Sequence, residues 1–292
     1  MPSHPFQRIT ISGPDGELAA RVWGQAGKPV VVCVHGYPDN SSKWEGVAHL
    51  LARDFQVVAY DVRGAGHSFK PRGRQAYALP RLTEDFRAVI DTLSPNAPVH
   101  LVGHDWGSVQ SWEFVTEPSL KGRIASYTSC SGPCLDHVGH WIRDGLRRPS
   151  PKRAGQLTMQ LLKSWYVYVF QLPWVPELLW RGVLGPQWHH IMRWLERTPI
   201  SPRPSQTDDG LHGVNLYRAN VLQRLWQPGQ RVAHARVQVL VPTGDRFVSP
   251  WLSEDLGRWA PSLRRHEVKA GHWITLQQPE LFAQAVRSFI SA

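Results

Sequence analysis

The sequence has few cysteines, no long apolar run and no leader-like start, and each absence excludes a class of protein. Its three cysteines, Cys33, Cys130 and Cys134, are odd in number and follow no metal-ligand spacing, which favours a reducing compartment without structural disulfides. Apolar stretches such as residues 29–34 are far shorter than the roughly 20 residues of a membrane helix. The first eight residues lack the basic-then-apolar pattern of a secretory signal. We therefore expect a cytoplasmic protein without stable membrane insertion.

Acidic side chains are also scarce relative to basic ones. The chain has 33 Lys and Arg against 23 Asp and Glu, and its formal net charge is +10 at pH 7. Such a balance suits nucleic acid or an anionic membrane. The basic residues are dispersed, however, apart from a cluster within residues 143–153. We therefore expect no nucleic-acid binding and interpret the cluster as a solvated surface loop, with an anionic head group or membrane surface as the alternative.

Strand and helix signals alternate along the first 130 residues and again near the C-terminus. The β-branched run at residues 30–34 is typical of a central parallel strand, and a late helix is expected over residues 250–259. From about 132 to 230 the strand signals vanish and helical, Trp-rich stretches replace them. Repeated alternation predicts an α/β fold with a mostly parallel sheet covered on both faces. Residues 1–131 and 231–292 would form its core, and 132–230 an inserted helical lid.

The segment Leu101–Ser108 predicts a sharp strand-to-helix turn that presents a nucleophile. Gly103 and Gly107 stand two residues before and two after one polar residue, where larger side chains would clash in so tight a turn. The following helix places a positive dipole beneath that residue. The central position holds Asp105 instead of serine, and nearby Ser108 lacks the flanking glycines. We predict Asp105 as the nucleophile; a helix-capping aspartate is the alternative.

The other catalytic partners follow in the chain order nucleophile, acid, histidine that this turn requires. Asp245 lies near the end of a predicted strand, and His272 lies on the loop after the last strand. Asp245 would orient His272 and stabilise its charged form. The loop at residues 35–38 also follows a strand and can aim a backbone N–H at the site. The N–H groups of Tyr37 and Trp106 are therefore the predicted oxyanion hole.

An aspartate nucleophile restricts the substrate. Attack on an acyl carbon would give an over-reactive anhydride, whereas attack on a saturated carbon gives an ester. In a second step His272 would activate water to attack the carbonyl carbon of Asp105. Epoxides and alkyl halides are the two obvious substrate classes. An epoxide needs an acidic O–H donor, for which the lid offers Tyr166 and Tyr217, whereas a halide needs N–H donors.

The chain resembles the α/β-hydrolase-fold epoxide hydrolases over nearly its whole length. The matching pieces are residues 35–38, the 103–107 turn, Asp245, His272 and two lid segments. The resemblance implies an α/β-hydrolase fold with an inserted helical lid. It also implies hydrolysis of a small-molecule epoxide to a vicinal diol. We expect neither a metal nor an organic cofactor, and whether the protein forms a homodimer is left open.

The same resemblance assigns the lid tyrosines. In that family a tyrosine before a Phe-Gln-x-Pro segment and the tyrosine of an Asn-x-Tyr-Arg-x-Asn segment polarise the epoxide oxygen, which implies Tyr166 and Tyr217. Tyr168 is the alternative for the first, because Trp174 replaces the glycine that usually follows the proline.

The lid is expected to form an apolar pocket for a lipophilic epoxide. Substrate contacts are expected from His35, Trp106, Tyr168 and Trp273. Most lid tryptophans are expected to pack the lid onto the core.

Segments 61–68, 97–113 and 131–137 are similar to the mycobacterial epoxide hydrolase D group, whose members carry a C-terminal short-chain dehydrogenase domain. This chain ends 20 residues after His272, so we expect that second activity to be absent. The haloalkane dehalogenases share the fold, the aspartate and the following tryptophan, and they are the alternative function. A third hypothesis is a non-enzymatic receptor or partner-binding module on the same scaffold.

Overall fold

In the computed structural model, which describes residues 6–198 and 200–292, eight strands form one sheet. The strands are β1 (Gln7–Ser12), β2 (Glu17–Trp23), β3 (Val30–Val34), β4 (Gln56–Tyr60), β5 (Val99–His104), β6 (Ile124–Cys130), β7 (Arg236–Pro242) and β8 (Leu263–Val268). Their spatial order is β1-β2-β4-β3-β5-β6-β7-β8. β2 runs antiparallel to β1 and β4, and the other neighbouring pairs are parallel. The mostly parallel α/β sheet is thereby confirmed.

The described part of the chain also forms eleven α-helices. They are α1 (Glu45–Leu51), α2 (Leu79–Leu93), α3 (Trp106–Thr116), α4 (Leu135–Arg147), α5 (Pro151–Lys163), α6 (Trp165–Gln171), α7 (Val175–Leu179), α8 (Gly185–Glu196), α9 (Gln206–Trp226), α10 (Ile274–Gln277) and α11 (Pro279–Ile290). A short π-helical stretch, Trp180–Leu184, joins α7 to α8. In these ranges none of the helices is long and apolar enough to cross a bilayer.

Two hydrophobic clusters cover the two faces of the sheet. All five residues of β3 are buried, and successive side chains alternate between the clusters: Val32 joins one and Val31 the other. Phe86 of α2 packs into the first cluster, and Phe282 of α11 into the second. A strand buried on both faces must be apolar at every position, which is why β3 shows no polar alternation.

The helical insertion lies between β6 and β7. In its described residues, 132–198 and 200–230, it contains α4 to α9 and no strand. It begins directly after the carboxyl end of β6, at the edge where β3, β5, β7 and β8 also end. The insertion therefore lies beside the loops that carry the polar residues of the predicted site.

The helix expected over residues 250–259 is not formed. Two short 3₁₀ turns, Pro250–Ser253 and Leu256–Arg258, replace it. The Ser253 hydroxyl donates to the Pro250 carbonyl at 2.7 Å, and such local side-chain bonds favour turns over helix. Gly257 further lowers the helix propensity. The prediction was wrong because apolar spacing outweighed these breaking residues.

Candidate active site

Asp105 lies at the turn between β5 and α3 with a strained backbone. Its φ is +55° and its ψ is −126°, a region that costs a non-glycine residue about 1–3 kcal/mol. A Cβ on Gly103 would lie 2.7 Å from the Gly107 carbonyl oxygen, and one on Gly107 would collide with the Val34 carbonyl. The two glycines therefore let the turn close, and the turn lifts the Asp105 side chain to the carboxyl edge of the sheet.

The structure brings Asp105, Asp245 and His272 together. Nδ1 of His272 donates to Asp245, at 2.9 Å from Oδ2 and 3.1 Å from Oδ1. Nε2 of the same ring lies 3.4 Å from Oδ2 of Asp105. Oδ1 of Asp245 also accepts the backbone N–H groups of Phe247 and Val248, at 2.8 and 3.0 Å. Asp245 is thus fixed by its own loop and fixes the orientation of the imidazole.

The charges of the triad residues shift the pKa values of His272 and Asp245. Burial alone would lower the pKa of His272, but the carboxylates of Asp245 and Asp105 outweigh it and raise the pKa to about 10. Burial raises the pKa of Asp245, whereas His272 and the two backbone N–H groups outweigh it and hold that pKa below its usual value. At neutral pH the resting site therefore holds an imidazolium between two carboxylates.

The two oxygens of Asp105 have different partners. The backbone N–H of Tyr37 donates to Oδ1 at 2.6 Å, while Oδ2 faces His272. Trp106 is the first residue of α3, so its N–H has no intrahelical acceptor and lies at the positive end of the helix. A Cβ on Gly36 would collide with the Asp105 carboxylate. Oδ1 is therefore held by the Tyr37 N–H near the start of α3, whereas Oδ2 faces the imidazole.

Ser108 has a structural role. Its fully buried hydroxyl donates to the Gly132 carbonyl at 2.7 Å and lies 2.7 Å from the Tyr127 hydroxyl and 2.8 Å from Oγ of Ser129. This bonding commits the hydroxyl to packing α3 against β6, away from the nucleophile position.

Tyr166 on α6 and Tyr217 on α9 face the same cavity as Asp105. Their ring centroids are 5.9 Å apart, with the planes almost perpendicular. The Tyr217 ring also packs edge-on against Trp106, with centroids 4.8 Å apart. Burial raises the pKa of both phenols, and the negative charge of Asp105 raises them further. Both side chains are therefore protonated O–H donors at neutral pH.

The cavity has a volume of about 160 Å³. Trp106 lies in its wall, and Tyr168, which is 50% exposed, lies where the cavity meets solvent. Tyr166, and not Tyr168, packs against Tyr217. The remaining wall is mostly apolar and includes Val138, Trp141, Ile142, Leu157, Val221 and Leu225. The cavity is therefore suited to a lipophilic molecule with one polar reacting end.

Two residues expected to contact substrate lie outside this wall. Nε2 of His35 accepts the Val62 N–H at 2.9 Å, so its Nδ1–H donates to the Gly36 carbonyl, also at 2.9 Å. Trp273 packs behind His272, with ring centroids 4.6 Å apart. The expectation of substrate contact is corrected for both: His35 shapes the loop that carries the Tyr37 N–H, and Trp273 supports the imidazole.

A buried charged network behind His272 was missed from the sequence. Nζ of Lys43 lies 2.5 Å from Nδ1 of His104 and 3.2 Å from Oδ2 of Asp39. Nε2–H of His104 donates to the His272 carbonyl at 2.7 Å, and Nε1–H of Trp273 donates to Asp39 at 3.0 Å. Burial and Lys43 lower the pKa of His104 well below its usual value, so the ring is neutral. In the sequence, the i,i+4 spacing of Asp39 and Lys43 was the one available signal.

Residues 29–160 match the family model described as the alpha/beta hydrolase fold. With this match, the sheet order and the turn at Asp105, the chain has the α/β-hydrolase fold. It is 36% identical, over 99% of its length, to the proteins named "Probable oxidoreductase EphD" of Mycobacterium bovis and Mycobacterium tuberculosis. The chain spans about half the length of these curated relatives, 50% of each.

Other similar proteins are named as epoxide hydrolases. Epoxide hydrolase 4 of Homo sapiens is 32% identical over 178 residues, which is 61% of this chain and 44% of that protein. Among solved structures, an epoxide hydrolase variant from Bacillus megaterium with its bound product diol matches with a TM-score of 0.79 and 21% identity, over 97% of this chain and all of that one. The Vigna radiata epoxide hydrolase VrEH1 matches with a TM-score of 0.75 and 23% identity, over 98% of both chains. At these identities the structural likeness shows the fold.

Proposed function

We propose that the protein is an epoxide hydrolase that converts a lipophilic epoxide to a vicinal diol through an ester on Asp105. The observation that carries this proposal is that the two Asp105 oxygens have different partners. Oδ1 accepts the Tyr37 N–H, and Oδ2 faces His272. Tyr166 and Tyr217 in the same cavity supply the O–H donors that an opening epoxide needs. The names of Epoxide hydrolase 4 and of the two solved epoxide hydrolases support the same activity.

In the first half-reaction, Oδ2 of Asp105 attacks a ring carbon of the epoxide. A carbon–oxygen bond to Asp105 forms while the carbon–oxygen bond of the epoxide breaks. The departing alkoxide takes a proton from Tyr166 or Tyr217, which leaves a phenolate. A positioned acid of this kind contributes about 10²–10⁴-fold to such a step.

Esterification changes the charge around His272. Asp105 loses its negative charge, so one of the two carboxylates that raise the pKa of His272 disappears. The imidazolium proton then restores the tyrosine, and His272 becomes a neutral base. This change would convert the ion-paired imidazolium of the resting state into the general base of the second step.

In the second half-reaction, Nε2 of His272 takes a proton from water, and the oxygen attacks the carbonyl carbon of Asp105. The carbonyl oxygen Oδ1 becomes an oxyanion beside the Tyr37 and Trp106 N–H groups. When this intermediate collapses, the diol oxygen leaves with the proton from His272. The new carboxylic acid returns its proton to His272, so the resting ion pair is restored.

The helical insertion, residues 132–230, would act as a lid in this reaction. Its α6 and α9 carry Tyr166 and Tyr217 to the cavity, and the apolar residues around them exclude bulk water. Exclusion of water protects the first half-reaction from competing direct hydrolysis.

The test is a parallel panel of epoxides and haloalkanes, in which diol formation and halide release are measured. We expect diol formation by the unmodified protein and none by Asp105→Ala. His272→Gln should accumulate the ester, seen as a peptide around Asp105 heavier by the mass of the epoxide. Exposed His266 on β8 provides the control His266→Gln, which should turn over normally. Halide release without diol would identify a dehalogenase, and no ester in His272→Gln with any reactive epoxide would reject the two-step scheme.

A further inference from the structure

The helical insertion exposes an unusual amount of apolar surface. Fifteen of the seventeen large apolar side chains that the described residues leave exposed lie on it. Four of its seven tryptophans are 63–80% exposed: Trp165, Trp174, Trp194 and Trp226. The expectation that most lid tryptophans pack onto the core is therefore wrong. Scattered exposed leucines need no explanation, but a concentration of exposed Trp and Leu marks an interaction surface.

Helix α5 is the least covered part of this surface. It has thirteen residues, none of which is buried. Leu161 and Leu162 in its last turn are 45% and 64% exposed, and Trp165 follows at the start of α6 with 63%. An isolated helix of this length is marginal in water, so its apolar side chains would gain from a covering partner.

The exposed residues continue into the cavity. Leu161, Tyr168 and Leu222 are exposed and also line the cavity that reaches Asp105. We define the mouth patch by these three residues and the exposed Trp and Leu side chains that lie beside them or one turn away on α5, α6 and α9. Its members are Leu161, Leu162, Trp165, Tyr168, Leu222 and Trp226. An apolar molecule entering through this mouth would cross apolar surface all the way to the nucleophile.

A basic segment borders the mouth. Residues 143–153 include the end of α4, a three-residue connection and the start of α5, so the expected surface loop is largely helical. Both helices contribute cavity wall. The segment carries five cations: Arg143, Arg147, Arg148, Lys152 and Arg153. The Arg143 guanidinium donates to the Trp226 carbonyl, which places the segment beside the mouth patch.

The carboxylates near this segment leave most of its charge uncompensated. Asp144 pairs with Arg258 at 2.9 Å. Glu254 and Asp255 share a groove with Arg147, Arg148 and Arg153. Within the described ranges, these three arginines and Lys152 form no ion pair with a carboxylate at 4.0 Å or less. Residues 132–230 as a whole hold twelve Lys and Arg against six Asp and Glu. The apolar mouth thus lies in a positively charged surface.

We propose that the mouth patch and the basic segment dock on an anionic lipid bilayer, so that a lipophilic epoxide enters the cavity from the membrane. The substrate part of this inference rests on the proposed function. Charge favours a bilayer over a second copy of the chain, because two copies with a net charge of +10 repel each other. Indole and leucine side chains beside Lys and Arg are the combination that binds the interface of anionic membranes.

Vesicle binding tests the docking without any turnover. The protein is sedimented with vesicles of phosphatidylcholine alone and of phosphatidylcholine mixed equally with phosphatidylglycerol. We expect binding to the anionic vesicles that weakens with salt. The double variant Leu162→Ser/Trp165→Ser and the double variant Arg147→Gln/Arg148→Gln should each weaken it by about tenfold or more. The matched controls are Leu281→Ser on α11 and Arg72→Gln, which are exposed outside the insertion.

Turnover then separates this inference from the proposed function. The Leu162→Ser/Trp165→Ser variant should hydrolyse a water-soluble epoxide at the unmodified rate but an epoxide dissolved in anionic vesicles much more slowly. Neither residue lines the cavity. Docking is refuted if the unmodified protein does not bind anionic vesicles, or if both double variants bind as well as the controls. A dimer in solution that the Leu162→Ser/Trp165→Ser variant dissociates, without vesicle binding, would make a second copy the occupant. Vesicle binding by a protein with no epoxide activity would leave the docking intact and reject the proposed function.

Discussion

Replacement of Lys43 by Met tests the buried network behind His272. Lys43 is almost fully buried, its ammonium lies 3.2 Å from Asp39, and methionine has a similar length and no charge. Removing one partner of a buried ion pair costs about 3–5 kcal/mol, because the remaining charge loses its compensation. Here Asp39 keeps Arg203 at 3.2 Å and the Trp273 N–H at 3.0 Å. We therefore expect the lower end, a loss of about 3 kcal/mol in the free energy of unfolding.

The assay is urea unfolding of Lys43→Met beside a matched surface variant. Arg287→Met breaks the Arg287–Asp54 pair, whose 2.7 Å distance is shorter but whose side chains are 37% and 50% exposed. Exposed pairs of this kind contribute about 0–1 kcal/mol. If both variants lose the same small amount of unfolding free energy, with the same dependence on urea, the buried network contributes no more to stability than the exposed pair.

Lys43→Met should also slow the hydrolysis of the ester. Without the ammonium, Nδ1 of His104 loses its donor, and the ring that holds the His272 carbonyl is less constrained. Because the attack by water needs an oriented imidazole, single-turnover measurements should show slower ester decay and little change in ester formation. An unchanged decay rate in a folded variant would mean that His272 is positioned by Asp245 alone.

Two further predictions concern the proton donors and the charge of the triad. Tyr166→Phe/Tyr217→Phe should slow ring opening by about 10²–10⁴-fold in single-turnover assays, with Tyr168→Phe as control; wild-type ring opening would exclude the tyrosines as donors. In the folded protein the pKa of His272 is about 10, above its ordinary value near 6.5. Protonation of His272 therefore stabilises the fold fully below pH 6.5, and this contribution is lost as pH rises through 10. The melting temperature should therefore fall over that range more steeply in the unmodified protein than in His272→Gln, and parallel curves would contradict the assigned shift.

The central sheet could be predicted from the sequence because its signals are local. A run such as residues 30–34 is apolar at every position since β3 is buried on both faces. The turn at Asp105 could be predicted as well, because only glycine fits at Gly103 and Gly107. The structure places Asp105, Asp245 and His272 within hydrogen-bonding reach of one another or close to it. Their order in the chain and their positions at the ends of predicted strands predict that arrangement.

What could not be predicted depends on partners that are distant in sequence. Lys43 appeared as an ordinary polar residue, because its partner His104 is 61 positions away. The same limit applies to His35 and Trp273, whose types suit substrate contact but whose hydrogen bonds are made to the protein. For the tryptophans of the insertion, composition showed their number but gave no information on what they pack against. Hydrophobicity indicates a preference for burial, and only the packed fold shows whether that preference is met.

The core and the insertion differ in how firmly their side chains are held and in how much apolar surface they expose. At the sheet edge, each residue of the triad is fixed by a hydrogen bond from the core. Asp105 accepts the Tyr37 N–H, Asp245 accepts an N–H of its own loop, and the His272 carbonyl accepts the His104 N–H. Groups fixed in this way need little reorganisation during the reaction, which is how electrostatic stabilisation becomes effective. The insertion instead has a helix without a buried residue and an exposed apolar mouth. Under the proposed mechanism the rigid core would carry out the chemistry, and the insertion would select and deliver the substrate. Sequence changes in the insertion should then alter specificity without disturbing the triad.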